Sequence, residues 1–405
     1  MFHFRTLAYG VAATVLLGST AMAETITLGA AISLTGKYST NGQHTQNGYN
    51  LAAKIINEKG GVKIGGKSYT LAIKYYDDES TPARGGELAE RLIVQDKVKF
   101  LLGPYSSGLT KAIAPVTEKH KVPMVEGNGA SRSLFTKGYK YLFAVLSTSE
   151  QYLASSVALA AEKAGAMGKK ANEIKIAMAF ENDPFSQDIR AGVMDDAKKF
   201  GMKIIIDDKL PKELNDMSAT LTKVKALRPD ILIVSGHAKG AATATRQIDE
   251  MKVDIPMVAM THCDSAKIIK KFGKAAGYTL CASQWAPTLT YKDDYFGSAG
   301  DYAALFKKTY GYAPPYQAAE STAAVLTFVD AFKRAGSLDQ AKVRDALAAT
   351  DMQTFYGNIK FDETGKNIAK PMVLFQVLDG KFQVVAPTKW AAAKAVIPRP
   401  KWSER

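Results

Sequence analysis

The feature that most constrains the fold of this sequence is a regular alternation of short apolar runs with segments of helical periodicity. Residues 98–102 and 122–125 are apolar runs typical of buried strands, and residues 108–119 between them predict a helix. Such units occur in two series, one before about residue 145 and one in residues 175–283. This alternation predicts parallel sheets with helices on both faces. We therefore expect an α/β fold of two doubly wound parallel-sheet lobes.

The rest of the chain predicts how the two lobes are connected. Residues 285–352 contain predicted helices without strands, which would best cover the first sheet, and residues 353–385 are typical of antiparallel strands around turns. The chain would then cross between the lobes three times. We expect a first lobe of residues 24–144 and 285–352, a second lobe of residues 145–284 and 353–385, and a C-terminal tail of residues 386–405.

The N-terminus is typical of a secretory signal peptide. A basic start precedes the apolar residues 7–17, and Ala21 and Ala23 suit cleavage by signal peptidase before Glu24. The apolar stretch is too short to span a bilayer. We therefore expect residues 1–23 to be removed on export.

The two cysteines, Cys263 and Cys281, each lie next to a predicted strand, with one predicted helix between them. Disulfides persist in the compartments that exported proteins reach. We therefore expect a Cys263–Cys281 disulfide, and two buried free thiols are the alternative.

The formal net charge of +14 would attract anions, but the lysines are scattered over polar helix faces. The sequence has no dense basic run with interleaved aromatic residues, which is the pattern typical of nucleic-acid binding. We therefore expect no nucleic-acid partner.

Two loops of small and hydroxyl-bearing residues follow neighbouring predicted strands. The first contains Ser106 and Ser107, either of which would cap the helix after it, and the second ends at Ser131. In a βαβ unit such loops face one crevice, where hydroxyls and backbone N–H groups can converge on a carboxylate or phosphate. The alternative is that both are ordinary tight loops between strands and helices.

Other kinds of site are disfavoured by spacing. His237, His262, Cys263 and Asp264 match no compact metal motif, so no metal site is expected. The glycines after the second strand lack the third glycine of a dinucleotide-binding loop. Ser107 is not surrounded by a Gly-x-Ser-x-Gly elbow. We expect no cofactor, no catalytic residues and no enzyme.

The chain resembles the periplasmic solute-binding proteins of ABC importers, specifically the leucine/isoleucine/valine-binding type. The resemblance covers nearly the whole chain after the signal peptide and rests on the segments ITLGAAISLTGKYSTNG, DDESTP, GPYSSGLT, VPMV with GNGAS, and GNIKFDETG. It implies a type I periplasmic binding protein fold, a cleft that closes on its ligand, and delivery of that ligand to a membrane permease. It also implies a monomer in the periplasm that catalyses no reaction.

The resemblance assigns the ligand carboxylate to the two loops. The serine that holds the carboxylate falls at Ser107, with Ser106 one residue away as the alternative, and Asn128 and Ala130 match the loop that clamps the same group. The family commonly has Thr at the position of Ala130, and Ser131 is the nearest hydroxyl to it. Backbone N–H groups of this loop are expected to share the task.

The resemblance places aromatic residues around the rest of the ligand. Phe185 matches an aromatic side chain of the second lobe that covers the ligand, and His237 falls where a second aromatic residue is common. Asn41 stands where an aromatic residue often borders the side-chain pocket. Tyr105, in the first loop, is a further ligand-binding candidate.

One departure concerns the ligand ammonium. Amino-acid binders of this family usually have a Glu that pairs with the ammonium, whereas this chain has Thr261 or His262 at that place. Ammonium capture would then need another acid, such as Asp264 or Glu150, or be absent. A branched-chain or related amino acid is the first expectation. Aromatic or other organic acids, or amides, are the alternatives, as is a role in a ligand-sensing receptor.

Overall fold

The protein is built from two large sheets, each with helices on its faces. A computed structural model describes residues 24–405. The predicted signal peptide, residues 1–23, lies outside the described residues. Within residues 24–405, no helix combines the length and apolar character needed to cross a membrane.

The first series of elements alternates strands and helices as predicted. In chain order it contains β1 (Glu24–Ile32), α1 (Ser39–Glu58), β2 (Val62–Ile64), β3 (Lys67–Asp77), α2 (Pro82–Val94), β4 (Phe100–Leu102), α3 (Ser107–His120), β5 (Met124–Glu126) and β6 (Leu142–Ala144).

The second series continues the alternation. It contains α4 (Ala154–Glu162), β7 (Lys175–Glu181), α5 (Pro184–Lys199), β8 (Lys203–Leu210), α6 (Ser218–Leu227), β9 (Ile231–Ser235), α7 (Ala238–Glu250), β10 (Met257–Thr261), α8 (Ala266–Phe272) and β11 (Leu280–Ser283).

The last part of the chain begins with a short two-stranded ribbon, which was not predicted from the sequence, and continues with helices and then antiparallel strands. Its elements are β12 (Lys292–Asp293), β13 (Gly297–Ser298), α9 (Ala299–Tyr310), α10 (Tyr316–Ala335), α11 (Gln340–Ala348), β14 (Asp351–Thr354), β15 (Gly357–Lys360), β16 (Val373–Leu378) and β17 (Lys381–Ala386).

The sheet topology confirms the predicted α/β class. The first sheet has the order β2-β3-β1-β4-β5-β6 and is parallel except at the β2–β3 edge. The second has the order β17-β16-β11-β10-β9-β7-β8, in which β7 to β11 are parallel and β16 and β17 are antiparallel. The turn between β16 and β17 is Asp379-Gly380, both at positive φ, and such two-residue turns join antiparallel strands.

Helix α10 attaches the late helices to the first sheet by packing along α1. Thr322 Oγ1 on α10 donates a hydrogen bond to the carbonyl of Gly48 on α1 at 2.8 Å. The helices approach closely there because Gly48 has no side chain: a Cβ at this position would lie 2.3 Å from the carbonyl oxygen of Ala318. Residues 316–329 of α10 are all buried.

The chain passes between the two sheets three times, and the three passages are hydrogen-bonded to one another through Ser147, Gln284 and Lys370, which we name the crossing cluster. Ser147 N–H donates to Gln284 Oε1 at 3.1 Å, and Gln284 Nε2 donates back to the Ser147 carbonyl at 2.8 Å. Ser147 Oγ donates to the Lys370 carbonyl at 2.5 Å, and Lys370 Nζ donates to the Gln284 carbonyl. Burial lowers the pKa of the Lys370 ammonium to about 7.

The predicted disulfide is confirmed. Cys263 follows β10 and Cys281 lies in the neighbouring strand β11, which brings their Cα atoms to 5.5 Å. Both side chains are buried.

We expect replacement of both Cys263 and Cys281 with serine to lower the free energy of unfolding by about 3 kcal/mol, because the bridge closes a loop of 18 residues that restricts the unfolded chain. Urea denaturation of the oxidised wild type and the double variant measures this. Reduced wild-type protein is the matched control and should resemble the variant. Equal stability of the oxidised wild type and the variant would contradict the expectation.

Candidate functional site

The ends of strands from both sheets meet at a cavity between the lobes, which we name the central cavity. Tyr105 follows β4 and Asn128 follows β5 in the first sheet, whereas His237 follows β9 and His262 follows β10 in the second. The carboxyl ends of parallel strands in open α/β sheets form such crevices. The cavity has a volume of about 10 Å³ and is lined by Tyr105, Ser106, Ser107, Asn128, Tyr152, Phe185, His237, His262, Tyr316 and Glu320.

The first loop presents two serines at the N-terminus of α3. Ser106 is the N-cap residue, and its Oγ accepts a hydrogen bond from Leu109 N–H at 3.3 Å. Its φ is +90°, a conformation that is strained for a residue with a side chain and that is often found at functional sites. Ser107 Oγ accepts a hydrogen bond from Ser131 N–H at 2.9 Å. The hydroxyl hydrogen of Ser107 is not used in this bond and can be donated to another acceptor.

The second loop is organised differently from the sequence-based expectation. Its backbone N–H groups at Asn128 and Gly129 donate to Glu126 Oε2, the former at 2.7 Å, so these donors face a buried carboxyl rather than the cavity. Ser131 N–H is likewise donated to Ser107. Burial raises the pKa of the Glu126 carboxyl to about 8. Of this loop, the side chain of Asn128 reaches the cavity wall.

Tyr105 joins the lobes by hydrogen bonds to two histidines of the second lobe, and we name this chain the Tyr105 bridge. His262 Nδ1 lies 2.9 Å from the carbonyl of Gly236, which can only accept, so Nδ1 carries the hydrogen. Burial, and then His237, lowers the pKa of His262 to about 3, so the ring is neutral and its Nε2 accepts from the Tyr105 hydroxyl at 2.8 Å. The Tyr105 oxygen then accepts from His237 Nδ1–H at 2.7 Å.

Helix α10 contributes Tyr316 and Glu320 to the opposite wall, and neither was predicted. Tyr316 Oη lies 3.2 Å from His262 Nε2, and the Tyr356 hydroxyl donates to Glu320 Oε2 at 3.2 Å. Burial, and then Glu126, raises the pKa of the Glu320 carboxyl well above its usual range. A signal existed in the sequence, since Glu320 is the one charged residue in the segment AAESTAA, whose other residues are small and uncharged.

Ala130 and Ser131 lie behind the cavity wall rather than on it. The Ala130 carbonyl accepts from Ser149 N–H at 2.7 Å. Ser131 Oγ donates to Asp188 Oδ2 on α5 at 2.6 Å, so this hydroxyl contacts the second lobe. Both residues therefore position the loop in the structure as described.

Asn41 and Thr261 also lie off the wall of the central cavity. The Asn41 carbonyl accepts from Thr45 Oγ1 at 3.0 Å within α1. Thr261 Oγ1 donates to the Gly236 carbonyl at 2.9 Å, which turns it away from the cavity and leaves His262 as the residue on the wall. Both side chains are buried.

Neither acid considered for ammonium capture lines the central cavity. Glu150 Oε1 accepts from Thr148 Oγ1 at 2.7 Å. Asp264 Oδ2 accepts from Ser283 Oγ at 2.9 Å, and burial raises the pKa of Asp264 to about 6. Glu320 is the acid that the described residues place on the central cavity.

A larger, mainly apolar cavity of about 400 Å³ adjoins the central cavity, and we name it the side chamber. Tyr316 forms part of both walls and separates them. Trp285, Tyr312, Phe375 and Phe382 supply much of the lining, so residues of both lobes enclose the space. A volume of this size suits a small organic molecule.

Comparison with known proteins places the chain in a family. A family model described as periplasmic binding protein matches residues 25–381. The Leu/Ile/Val-binding protein homolog 7 of Brucella suis biovar 1 is 22% identical over 397 residues, which cover 96% of this chain and 98% of that protein.

Two solved structures share the fold. The branched-chain amino acid transporter substrate-binding protein LivJ from Streptococcus pneumoniae, in complex with isoleucine, has a TM-score of 0.78 and 23% identity, covering 93% of this chain and all of that chain. A solute-binding protein of an ABC transporter from Rhodopseudomonas palustris BisB5, in complex with 3,4-dihydroxy benzoic acid, has a TM-score of 0.76 and 21% identity, covering 94% and 99%. The family model spans nearly all of the described residues, and the resemblance found in the sequence is confirmed: the chain belongs to the periplasmic binding protein family.

Proposed function

We propose that this protein is the extracytoplasmic solute-binding subunit of an ABC importer. It captures a small molecule between the lobes at the central cavity, which at about 10 Å³ must widen to hold more than a water molecule, and delivers it to a membrane permease without catalysing a reaction. The observation that carries the proposal is that side chains from both lobes, exemplified by Tyr105, His237 and His262, meet around one cavity. The protein acts as a periplasmic monomer.

We also propose two lobes, the first of residues 24–144 and 285–367 and the second of residues 145–284 and 371–385, joined at the crossing cluster. The sequence-based boundary between residues 352 and 353 would cut β14, which pairs with β15. Ala144 N–H of β6 also donates to the Gly365 carbonyl at 2.9 Å, so this segment lies with the first lobe. The attachment of α10 to α1 supports the first grouping. The pairing of β16 with β11 supports the second. Residues 386–405 form the C-terminal tail.

The first candidate ligand is a branched-chain or related amino acid. The family and the isoleucine complex of LivJ support this choice. The carboxylate would lie against Ser106, Ser107 and Asn128 at the N-terminus of α3, where helix N–H groups and the helix dipole favour an anion. The ammonium would lie toward Glu320 on the opposite wall, where it would have to favour the ionised form of a carboxyl whose pKa burial raises.

The second candidate is an aromatic or other organic acid, and two observations favour it. Thr261 or His262 stands where an amino-acid binder of the family usually has a Glu, and burial lowers the pKa of His262 to about 3, so neither offers a negative charge to an ammonium. The side chamber next to Tyr316 offers room for an apolar body. The complex of the similar protein from R. palustris BisB5 with 3,4-dihydroxy benzoic acid supports this candidate.

Titration calorimetry with leucine, its deaminated analogue 4-methylpentanoate and 3,4-dihydroxybenzoate tests both candidates on wild type, Ser107→Ala and the exposed control Ser68→Ala. Loss of the Ser107 hydroxyl should weaken each carboxylate ligand that binds by about 1–2 kcal/mol. Ser68→Ala should bind as wild type does.

Each outcome of the calorimetry discriminates. Equal affinity of wild type and Ser107→Ala would show that the ligand carboxylate does not bind at this loop. Equal affinity for leucine and 4-methylpentanoate would show that the ammonium is not recognised. If none of the three compounds or their close relatives bound, the proposed capture of a small carboxylate would be wrong.

A further inference from the structure

Three ligating side chains converge beside the central cavity. Glu181 ends β7, Asp183 is the N-cap residue of α5, and His237 is the N-cap residue of α7. One donor atom from each lies within 4.8 Å of the other two. All three residues come from the carboxyl ends of neighbouring strands of the second sheet, so the topology holds them together.

Two of these side chains have a buried polar atom that makes no hydrogen bond within the described part of the chain. Among residues 24–405, no hydrogen-bond partner is found for Glu181 Oε2 or His237 Nε2, although the residues are only 2% and 7% exposed. His237 Nε2 lies 3.5 Å from Asp183 Oδ2, beyond an ordinary N–H···O hydrogen bond. Buried polar atoms normally have partners, so this pair requires an explanation.

The Tyr105 bridge determines which nitrogen of His237 faces the cluster. Because the Tyr105 hydroxyl hydrogen is donated to His262, the Tyr105 oxygen accepts from His237 Nδ1–H. Nε2 is then the nitrogen that faces the carboxylates, 3.5 Å from Asp183 Oδ2, and a bound metal ion would take the place of any proton on it. A histidine whose second nitrogen is fixed by a hydrogen bond is the usual arrangement of a metal ligand.

The two carboxylates are also held in place through their other oxygens. Glu181 Oε1 accepts from Leu214 N–H at 3.1 Å, and Asp183 Oδ1 accepts from Ser186 N–H at 3.1 Å. Gly240 leaves room for Glu181, since a Cβ at this position would lie 2.7 Å from Glu181 Oε1. Each acid therefore keeps one oxygen in a backbone hydrogen bond. Glu181 Oε2 has no hydrogen-bond partner among residues 24–405, whereas Asp183 Oδ2 accepts from Ser186 Oγ at 3.2 Å and retains a second lone pair.

We propose that Glu181, Asp183 and His237 form a binding site for a divalent transition metal ion of the zinc class. One imidazole nitrogen and two carboxylate oxygens are donors that suit Zn²⁺, and three protein ligands leave a fourth position for water. The site goes beyond the proposed solute binding and does not depend on which solute is bound. A bound ion would fix the His237 ring and, through it, the Tyr105 bridge.

Calorimetry with ZnCl₂ on EDTA-treated mature protein, without solute, tests the proposal. One Zn²⁺ ion should bind per chain, and Asp183→Asn and Glu181→Gln should each weaken binding at least tenfold. Asn is itself a good N-cap residue, so Asp183→Asn preserves the start of α5. His44→Gln, which changes a buried histidine outside the cluster, is the matched control and should bind Zn²⁺ as wild type does.

Visible absorption of the Co²⁺ form provides a second readout. The wild type should develop the d–d bands of a tetrahedral N,O site, and the two cluster variants should not. Absence of saturable one-to-one Zn²⁺ binding would overturn the proposal, as would equal binding by wild type and both cluster variants. A solute that binds while Zn²⁺ does not would leave the proposed transport role intact and remove the metal site alone.

Discussion

Replacing Glu126 with alanine is expected to lower the free energy of unfolding by about 3 kcal/mol, because two buried N–H groups lose their acceptor at once. These are the N–H groups of Asn128 and Gly129, which Glu126 Oε2 holds in the loop after β5. Chemical denaturation at pH 5 measures the loss. Glu126→Gln keeps an acceptor oxygen of similar reach and should lose much less, so equal losses in the two variants would contradict the explanation.

Glu126→Gln also tests how the free energy of unfolding depends on pH, and burial of Glu126 determines the sign of that dependence. The pKa of Glu126 is raised from 4.5 to about 8 in the folded protein. Between these values the folded state holds a proton that the unfolded state has lost, so stability is full below about pH 4.5 and falls as pH rises through about 8.

This shift is equivalent to up to about 5 kcal/mol. The unfolding free energy of Glu126→Gln should therefore increase relative to that of the wild type between pH 5 and pH 8.5. A constant difference across this range would show that Glu126 ionises normally. Comparing the two proteins cancels the contributions of buried carboxyls that do not interact with Glu126; Glu320, whose pKa Glu126 raises, is the exception.

Gly48→Ala is expected to destabilise the first lobe by about 3 kcal/mol, at the upper end of the usual cost of overpacking. The new Cβ would lie 2.3 Å from the Ala318 carbonyl oxygen and 2.8 Å from Ser321 Cβ, so α1 and α10 would have to separate. Thermal unfolding followed by circular dichroism measures the change.

The matched control is Gly165→Ala. A Cβ added at this exposed glycine meets nothing within 4 Å, so this variant should be as stable as wild type. If Gly48→Ala were equally stable, α1 and α10 could not pack as closely as described.

The fold was predictable where local pattern and topology agree. The strand–helix alternation predicted both sheets, and the helix at residues 108–119 is α3. The later strands were harder, because β14 and β15 form a separate ribbon whereas β16 and β17 join the second sheet. The turn residues predict that both pairs are antiparallel hairpins, but they do not predict which sheet a hairpin joins.

The candidate site was predictable only in part. Six of the predicted residues reach the cavity wall because they lie in the segments after strand ends: Tyr105, Ser106, Ser107, Asn128, Phe185 and His237. The strand–loop pattern indicated the two serines, and the family resemblance indicated Asn128, Phe185 and His237. Tyr152, Tyr316 and Glu320 come from helical segments that look like core, and tertiary packing brings them there. Glu126 accepts hydrogen bonds from the backbone of the loop that follows it. This interaction depends on the direction of the Glu126 side chain, which strand periodicity does not predict.

The crossing cluster has a thermodynamic consequence for ligand capture. Rotation of the lobes about Ser147, Gln284 and Lys370 can preserve their mutual hydrogen bonds, whereas sliding one lobe past the other would break them. Two unconnected bodies that associate lose translational and rotational freedom worth about 4–15 kcal/mol. Here most of that loss has already occurred on folding. A weakly interacting solute can therefore close the cleft, because only the angle between the two lobes remains to be restricted on binding.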